Sequence, residues 1–417
     1  MSEPAAPRAD AGPKPVRIGL LGRGNVGAAF AELLAERAEA VEAATGRRPE
    51  LAGVLTRQEG DFGEILERSD LIVELMGGTG AAREYVVDAL RAGRPVVTAN
   101  KQLLAQHGDE LFGIAREAGV QLRFEAAVAA VIPIVRTIQE SFGVTEISKV
   151  FGIVNGTTNF ILTEMAASGA GYDEVLAQAQ ELGYAEADPS DDVSGADAAA
   201  KMAILARLAF HTPVTLAEVP YEGIEAIQPD DLAYAKELGL SLKLLGVAER
   251  RDGGISVRVF PCFLYRGHPL APIEGPFNAV MVEAPAITEV TMSGPGAGGL
   301  QTASAVLGDV VSILAGDAPV HETREELPLV ADVPSSFYLY LEVADKPGVL
   351  ARVATVLGDH EVSVKSVVQR GFGDDARLVM VVHECLESRF SAAVEALGEL
   401  GDLRAPARSI HVIEEQF

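Results

Sequence analysis

Hydrophobic residues in the first third of the chain form short unbroken runs that alternate with longer amphipathic stretches. The apolar runs occupy residues 16–21, 51–56, 70–75, 95–99 and 120–125, and helical spacing is present at 28–43, 81–92 and 103–118. Strands that are apolar on both faces and separated by helices are typical of a parallel sheet covered on both sides. The pattern therefore predicts a doubly wound α/β domain over residues 15–148.

From residue 149 onward this regular alternation ends. Residues 149–154 and 255–260 have the composition of strands, and long helices are predicted at 172–182 and 197–210. This mixture predicts a second α/β or, as we favour, α+β domain over residues 149–292. Residues 293–315 hold a glycine-rich turn and a helix that we expect to return to the first domain. The charged, proline-containing residues 316–334 have the composition of a linker.

The last segment of the chain has its own order of elements. It predicts strands at 337–343, 362–369, 378–382 and 409–413, with helices at 347–357 and 388–400. The order βαββαβ predicts a small ferredoxin-like domain over residues 335–417.

The composition narrows the classes of partner. The chain has 417 residues, enough for two or three domains, and a formal net charge of −26, which disfavours nucleic acid and anionic membranes as partners. It has no run of 18 apolar residues, so we expect no membrane-spanning helix, and residues 1–14 have the composition of a disordered tail. Cys262 and Cys385 lie far apart and outside any CxxC motif, which fits a reducing compartment such as the cytoplasm.

A glycine motif follows the first apolar run. Gly22, Gly24 and Gly27 stand at GxGxxG spacing, with Asn25 and Val26 between them, directly before the first predicted helix. This context is that of a Rossmann dinucleotide site, where the glycines allow a tight turn and the helix N-terminus receives the pyrophosphate. The second run ends at Arg57 without an acid for a ribose hydroxyl, so we favour NADP over NAD; an ordinary exposed arginine is the alternative.

Two charges interrupt a helix that is otherwise apolar all round. Asp197 and Lys201 are four residues apart and therefore share one helix face, ahead of the apolar stretch 202–210. A surface ion pair is the simplest interpretation, but a helix of this composition is buried, and buried charges are costly unless paired or used. Asp197 and Lys201 are therefore predicted to be functional.

Two further polar clusters follow predicted strands. Thr98 and Lys101 come directly after the strand at 95–99, where the carboxyl ends of parallel strands face the ligand crevice. Asn155, Gly156 and Thr157 stand between the strand at 149–154 and an apolar helix, where they offer hydroxyl and amide groups to a ligand or cap the helix.

The segment 179–201 resembles the signature of homoserine dehydrogenases, and so do the blocks 73–78, 98–101, 124–128, 155–159 and 294–299. The resemblance covers residues 16–315. The C-terminal domain resembles an ACT domain, with residues 345–350 as its ligand loop. The resemblance implies a catalytic and dimerisation domain at 149–292, a homodimer or higher oligomer, and the interconversion of L-homoserine and L-aspartate 4-semialdehyde with NAD(P).

The resemblance also suggests roles for single residues. Lys201 is the candidate acid at the reacting oxygen with Lys101 assisting, and the substrate's ammonium group needs carboxylates, for which Glu186 and Asp197 are suited with Asp192 in support. It also implies cofactor contacts at Gly77, Gly183 and Gly298, and a sodium ion held by the backbone carbonyls of Glu125, Val128, Ala130 and Ile132.

Two departures from the family pattern concern backbone conformation. The family has Gly-Gly where this chain has Ala130 and Val131, and a positive φ would strain valine. In the ACT-like segment, Glu361 stands where a glycine is usual. The ligand loop, with Asp345, Gly348 and Val349 as candidate effector contacts, implies feedback by threonine; a purely structural domain is the alternative.

Two other functions fit these residues less well. Aspartate-semialdehyde dehydrogenase chemistry needs a cysteine nucleophile, and neither cysteine is placed for that role. A catalytically inactive amino-acid sensor would keep both folds, but it would not need Lys101, Glu186, Asp197 and Lys201.

Overall fold

The computed structural model describes residues 15–317, 325–373 and 376–413. In chain order the strands are β1 (Val16–Leu21), β2 (Pro49–Leu55), β3 (Leu71–Glu74), β4 (Val96–Thr98), β5 (Leu122–Arg123), β6 (Lys149–Ile153), β7 (Leu240–Arg251), β8 (Gly254–Tyr265), β9 (Phe277–Ala284), β10 (Thr288–Pro295), β11 (Pro334–Glu342), β12 (Val364–Arg370), β13 (Arg377–Leu386) and β14 (Arg408–Ile413). The helices are α1 (Asn25–Thr45), α2 (Phe62–Arg68), α3 (Gly80–Arg91), α4 (Lys101–Ala118), α5 (Ile134–Arg136), α6 (Gly156–Ser168), α7 (Tyr172–Glu181), α8 (Ser190–Val193), α9 (Ala196–Phe210), α10 (Pro229–Glu237), α11 (Gly299–Ala315), α12 (Val349–Asp359) and α13 (Glu387–Gly398).

These elements form two compact units, of which the first comprises the described residues up to 141 together with 297–317. None of the described helices combines the length and the apolar character needed to cross a bilayer. The tail predicted at 1–14 lies outside the described residues.

The first unit is a parallel five-stranded sheet with the strand order β2-β1-β3-β4-β5. One face packs against α1 and α11, with Leu20 and Phe30 in the same cluster as Val306, and the other packs against α3 and α4. The helix predicted to return to this domain therefore does so as α11. Alternating runs and helices were enough to predict this fold, because each strand is covered on both faces.

The second unit comprises residues 142–296 and the described residues from 325 onward. Its sheet has nine strands in the order β10-β9-β6-β7-β8-β14-β11-β13-β12. Only β6 and part of β8 were predicted between residues 149 and 292; β7, β9 and β10 were missed. The strand β7 is buried on both faces, and a continuous apolar run cannot be distinguished from a buried helix by its periodicity.

The C-terminal segment has the predicted βαββαβ order, and its last strand, β14, pairs in parallel with β8. Its core includes Phe337 and Phe390, whose rings stack at 3.9 Å between centroids. The helix α12 begins at Val349 and not at Pro347, because Gly348 takes a left-handed φ of 89°. Residues from the predicted linker bond to the start of β8: Val330 N donates to Ile255 O over 2.8 Å. Residues 318–324 of that linker lie outside the described residues, and the domain limits remain predictions.

Candidate active site

The glycine motif forms a backbone turn that a side chain would fill. Gly22 has φ 97°, and a methyl group on it would lie 2.5 Å from Leu75 O. A methyl group on Gly27 would lie 2.2 Å from Gly22 O, whereas the space next to Gly24 is open. The helix α1 begins immediately after Gly24 and has no side-chain cap. Free space and uncapped amides at a helix start fit the pyrophosphate of a dinucleotide.

A buried carboxylate organises the neighbouring strand ends in the same unit. Glu74, at the end of β3, accepts hydrogen bonds from Thr98 Oγ1 at 2.6 Å and from the main-chain N–H groups of Met76 and Gly77 at 2.8 and 3.3 Å. Burial raises the pKa of Glu74. Asn100 caps α4 and donates to Gly78 O. Hydrogen bonds therefore connect the loop after β3 to the start of α4 at Lys101. Arg57 is exposed beyond β2.

In the second unit, Asp197 and Lys201 form the predicted pair, in which Asp197 is buried and Lys201 is largely buried. Lys201 Nζ lies 2.7 Å from Asp197 Oδ2, and the two side chains are 12% and 2% exposed. Lys201 Nζ also donates to Val154 O over 2.7 Å. These contacts rule out an ordinary surface ion pair and hold the ammonium group between a carboxylate and a carbonyl.

Close packing of α9 on the sheet determines where this pair lies. Met202, next to Lys201, packs on Gly246 of β7, where a methyl group would lie 2.3 Å from Met202 Cγ. Gly152 of β6 also lies against this side chain, since a methyl group there would lie 3.2 Å from Met202 Sδ. The two glycines let the helix approach the sheet closely enough for Lys201 to reach the carbonyl at the end of β6.

Asn155 connects two of the predicted carboxylates. Its Nδ2 donates to Asp192 Oδ1 over 2.6 Å and to Asp197 Oδ2 over 2.8 Å, while its Oδ1 caps α6 by accepting from Thr158 N. Asp192 lies within α8, whose first residue, Ser190, donates its main-chain N–H to Asp188 Oδ1.

The remaining predicted substrate residues stand around this cluster. Gly156 opens α6, and a methyl group on it would lie 2.7 Å from Pro276 O. Thr157 Oγ1 donates to Tyr184 O over 2.6 Å. The side chain of Glu186 is exposed. Of the predicted cofactor contacts, Gly183 has φ 77° and ends α7, whereas Gly298, with φ 130°, belongs to the first unit.

The predicted cation loop has an unusual backbone. Ala129 and Ala130 have positive φ angles of 55° and 46°, whereas Val131 does not. The strain that the missing glycines would impose therefore falls on alanines, which tolerate it better than valine does. No group of three or more His, Cys, Asp or Glu side chains among the described residues could hold a metal ion, so a cation at Glu125, Val128, Ala130 and Ile132 would depend on backbone carbonyls.

In the ACT-like segment, the predicted effector loop bonds to a hairpin. Asp345 Oδ2 accepts from Gly373 N over 3.0 Å. Gly348 and Val349 form the start of α12. Glu361 has φ 58°, which confirms that its position favours glycine, and it pairs with Arg389.

One buried side chain near Lys201 was missed by sequence reasoning. Asn278 on β9 is 0% exposed, and its Nδ2 donates to Val154 O over 3.3 Å. The only signal was a single amide in the otherwise apolar stretch 277–282, within a strand that was itself not predicted.

Comparisons with known proteins agree with this arrangement. Family models match at residues 22–125 (homoserine dehydrogenase, NAD binding domain), 133–311 (homoserine dehydrogenase) and 337–402 (ACT domain). The homoserine dehydrogenase of Corynebacterium glutamicum is 42% identical over 95% of this chain and 96% of its own, and that of Bacillus subtilis is 38% identical over 93% and 96%. The crystal structure of a homoserine dehydrogenase from Thiobacillus denitrificans matches with a TM-score of 0.92, 35% identity and coverage of 97% and 99%. A hyperthermophilic archaeal homoserine dehydrogenase in complex with NADPH matches with a TM-score of 0.63 and 27% identity, covering 74% of this chain and 100% of its own.

Proposed function

The chain belongs to the homoserine dehydrogenase family, and on that premise we propose how its residues serve the NAD(P)-linked interconversion of L-homoserine and L-aspartate 4-semialdehyde. The turn at Gly22, Gly24 and Gly27 would hold the pyrophosphate, with Asn25 and Val26 offering amides at the start of α1. The exposed Arg57 would bind a 2′-phosphate, which favours NADP. The NADPH complex of the archaeal relative supports that preference.

Lys201 is the proton donor in the reductive direction. When bound, the nicotinamide supplies the hydride that reaches the aldehyde carbon. The aldehyde oxygen then needs a proton, and the Lys201 ammonium, already fixed by Asp197 and Val154 O, donates it; in the oxidative direction the neutral amine accepts a proton from the hydroxyl. The buried ion pair of Asp197 with Lys201 is the observation that carries this role. Lys101, at the start of α4, assists as a second positive charge.

The substrate's ammonium group would be bound by carboxylates of the second unit. Glu186 is exposed and Asp192 is held by Asn155, so both can accept hydrogen bonds from an incoming ammonium. Asp197 contributes negative charge while it orients Lys201. Gly156 and Thr157, at the start of α6, would contact the substrate carboxylate, which a helix N-terminus favours. The loop after β3 and the end of β4, with Gly77 and Thr98, would contact the cofactor together with Gly183 and Gly298.

Three further features complete the proposal. A monovalent cation would be held by the carbonyls of the loop described above. Threonine would bind at Asp345, Gly348 and Val349 of the ACT domain and lower the activity. The enzyme would work in the cytoplasm as a dimer or larger homo-oligomer.

The test is NADP-linked oxidation of L-homoserine by the purified protein. We expect turnover with NADP to exceed that with NAD, and added threonine to reduce it. Lys201→Met should lower kcat by about 10²- to 10⁴-fold, the range of a general acid–base group. Lys236→Met, on an exposed position of α10, is the matched control and should keep its activity. Undiminished turnover in Lys201→Met would overturn the role given to Lys201.

A further inference from the structure

The carbonyl oxygen of Val154 accepts hydrogen bonds from two side chains near the proposed active site. It lies at the end of β6 and accepts from Lys201 Nζ at 2.7 Å and from Asn278 Nδ2 at 3.3 Å. An ammonium group has three N–H donors, and two of them go to Val154 O and Asp197 Oδ2. The direction of the remaining donor is therefore fixed by where those two acceptors lie.

The Asp197 acceptor is already held in place, because Asn155 donates to the same oxygen. Val154 O, by contrast, belongs to the last main-chain residue before the α6 cap and follows the end of the sheet ladder. Asn278 is the side chain that fixes it. We propose that Asn278 is a positioning residue for Lys201: it holds the Val154 carbonyl so that the third N–H of Lys201 points at the reacting oxygen. This inference rests on the proposed role of Lys201.

The surroundings of Asn278 leave its amide little freedom. The residue is 0% exposed, and a methyl group on Gly296 would lie 2.2 Å from its Oδ1 and 2.6 Å from its Nδ2. Gly296 does not have a positive φ. A glycine is therefore required there because the Asn278 amide lies so close, and not because of the backbone conformation. The absence of a side chain at residue 296 leaves the space that the amide occupies beside Val154 O.

The orientation of the amide is also determined by its neighbours. A flipped amide would place its oxygen against the Val154 carbonyl oxygen, two acceptors in contact, so the N–H group must face Val154. The Oδ1 atom then lies next to Gly296 and Gly156, buried and without a hydrogen-bond partner among the described residues. Leaving a buried acceptor unsatisfied is costly, and it fits a side chain kept for the position of its donor rather than for stability.

The test compares kcat, KM and nucleotide affinity in three variants. We expect Asn278→Ala to lower kcat by about 10- to 100-fold, because misplacing a reacting group by about 1 Å costs that much. KM for homoserine and the dissociation constant of NADPH should change less than about threefold. Asn278→Asp keeps the shape of the side chain and loses the N–H donor, so its kcat should fall as that of Asn278→Ala does. It replaces Asn278→Ala in the test if the alanine variant does not fold. Thr212→Val, which removes a buried side-chain hydrogen bond to Phe210 O and leaves the loop before β9 unchanged, should lower thermal stability without this selective loss of kcat.

A second experiment uses the contact with Gly296. Gly296→Ala should displace the amide from its present position and lower kcat as Asn278→Ala does, whereas Gly308→Ala, at a helix position with free space around it, should not. In the Asn278→Ala background, Gly296→Ala should cause little further loss, because both changes remove the same interaction.

The inference would be overturned if Asn278→Ala kept kcat within about twofold, if only KM changed, or if the two losses multiplied in the double variant. Lys201→Met, assayed in parallel, separates the two levels of the proposal. An inactive Lys201→Met beside a fully active Asn278→Ala refutes only the positioning role, whereas an active Lys201→Met refutes the proposed role of Lys201 as well.

Discussion

Two buried lysines in the second unit are held in opposite ways. Lys201 reaches a carboxylate and a carbonyl, its side chain is 12% exposed, and Asp197 and Asn155 complete the cluster. Lys243 of β7 is 3% exposed; its ammonium donates to Asn159 Oδ1 at 3.3 Å and to Ile273 O. Lys201 therefore has a full counter-charge, whereas Lys243 has only dipoles within hydrogen-bond distance.

Both lysine clusters include an asparagine of the segment 155–159. Asn155 lies at its beginning and joins the Lys201 cluster, and Asn159 lies one helical turn later and bonds to Lys243. Asn159 also donates to the carbonyls of Ile273, Gly275 and Phe277. The first cluster surrounds a proposed substrate site, and the second fixes the loop that leads into β9. Burial of a lysine is thus not by itself a sign of catalysis. The hydrogen-bond partners of the lysine and its access to solvent indicate whether it is catalytic or structural.

The largest effect should follow from removing the counter-charge of Lys201. We expect Asp197→Asn to lower kcat by at least about 10²-fold and the free energy of unfolding by about 3 kcal/mol, because an uncompensated charge is left in a buried site. The double variant Asp197→Asn/Lys201→Met should regain most of the stability and none of the activity. Urea denaturation and initial rates measure the two quantities. A double variant no more stable than Asp197→Asn would show that the pair does not behave as a buried ion pair.

The next effect concerns how stability depends on pH through Lys243. Burial lowers the pKa of Lys243 from 10.5 to about 8. Between these values the unfolded chain binds more protons at this lysine than the folded chain does, so the free energy of unfolding rises with pH. Relative to Lys243→Met, the wild-type protein should gain about 3 kcal/mol between pH 7 and 10.5, at about 1.4 kcal/mol per pKa unit.

Urea denaturation at several pH values, with Lys236→Met as the exposed control, checks this prediction. Turnover of Lys243→Met should stay within about threefold of wild type, since Lys243 shares no hydrogen-bond partner with Lys201. If the free energy of unfolding changed with pH equally in the wild type and in Lys243→Met, this prediction would be wrong. Loss of turnover in Lys243→Met would show that Lys243, like Lys201, is needed for activity.

The sequence predicted one of these lysines and not the other for a physical reason. Asp197 and Lys201 stand at helical spacing, so their proximity follows from the chain alone. Lys243 occupies a strand that is buried on both faces, and its partners Asn159 and Ile273 are far away in sequence. Contacts across a sheet depend on a register that no local pattern fixes.

The same limit explains the rest of the site. The glycine turn at Gly22 and the order of the C-terminal elements were predicted because both are local patterns. Val154 contributes a main-chain carbonyl, which any residue could supply, so its sequence position carries no signal. Asn278 was missed because β9 was missed, and the bond between Asn155 and Asp192 is a tertiary contact that no local pattern indicates.

The smallest effect is expected from a substitution that gives Lys243 a carboxylate partner, as Lys201 has. Asn159→Asp places a carboxylate oxygen near the present position of Oδ1, 3.3 Å from Lys243 Nζ. An opposite charge at this distance favours the ammonium form and raises the pKa of Lys243 back toward its ordinary value. The gain in stability between pH 7 and 10.5 should therefore shrink to about half that of the wild type or less. The carboxylate cannot donate to the loop carbonyls, so this variant should also be less stable at pH 7. An unchanged pH dependence would mean that desolvation alone sets the pKa of Lys243, and that a nearby carboxylate is not what distinguishes the two lysines.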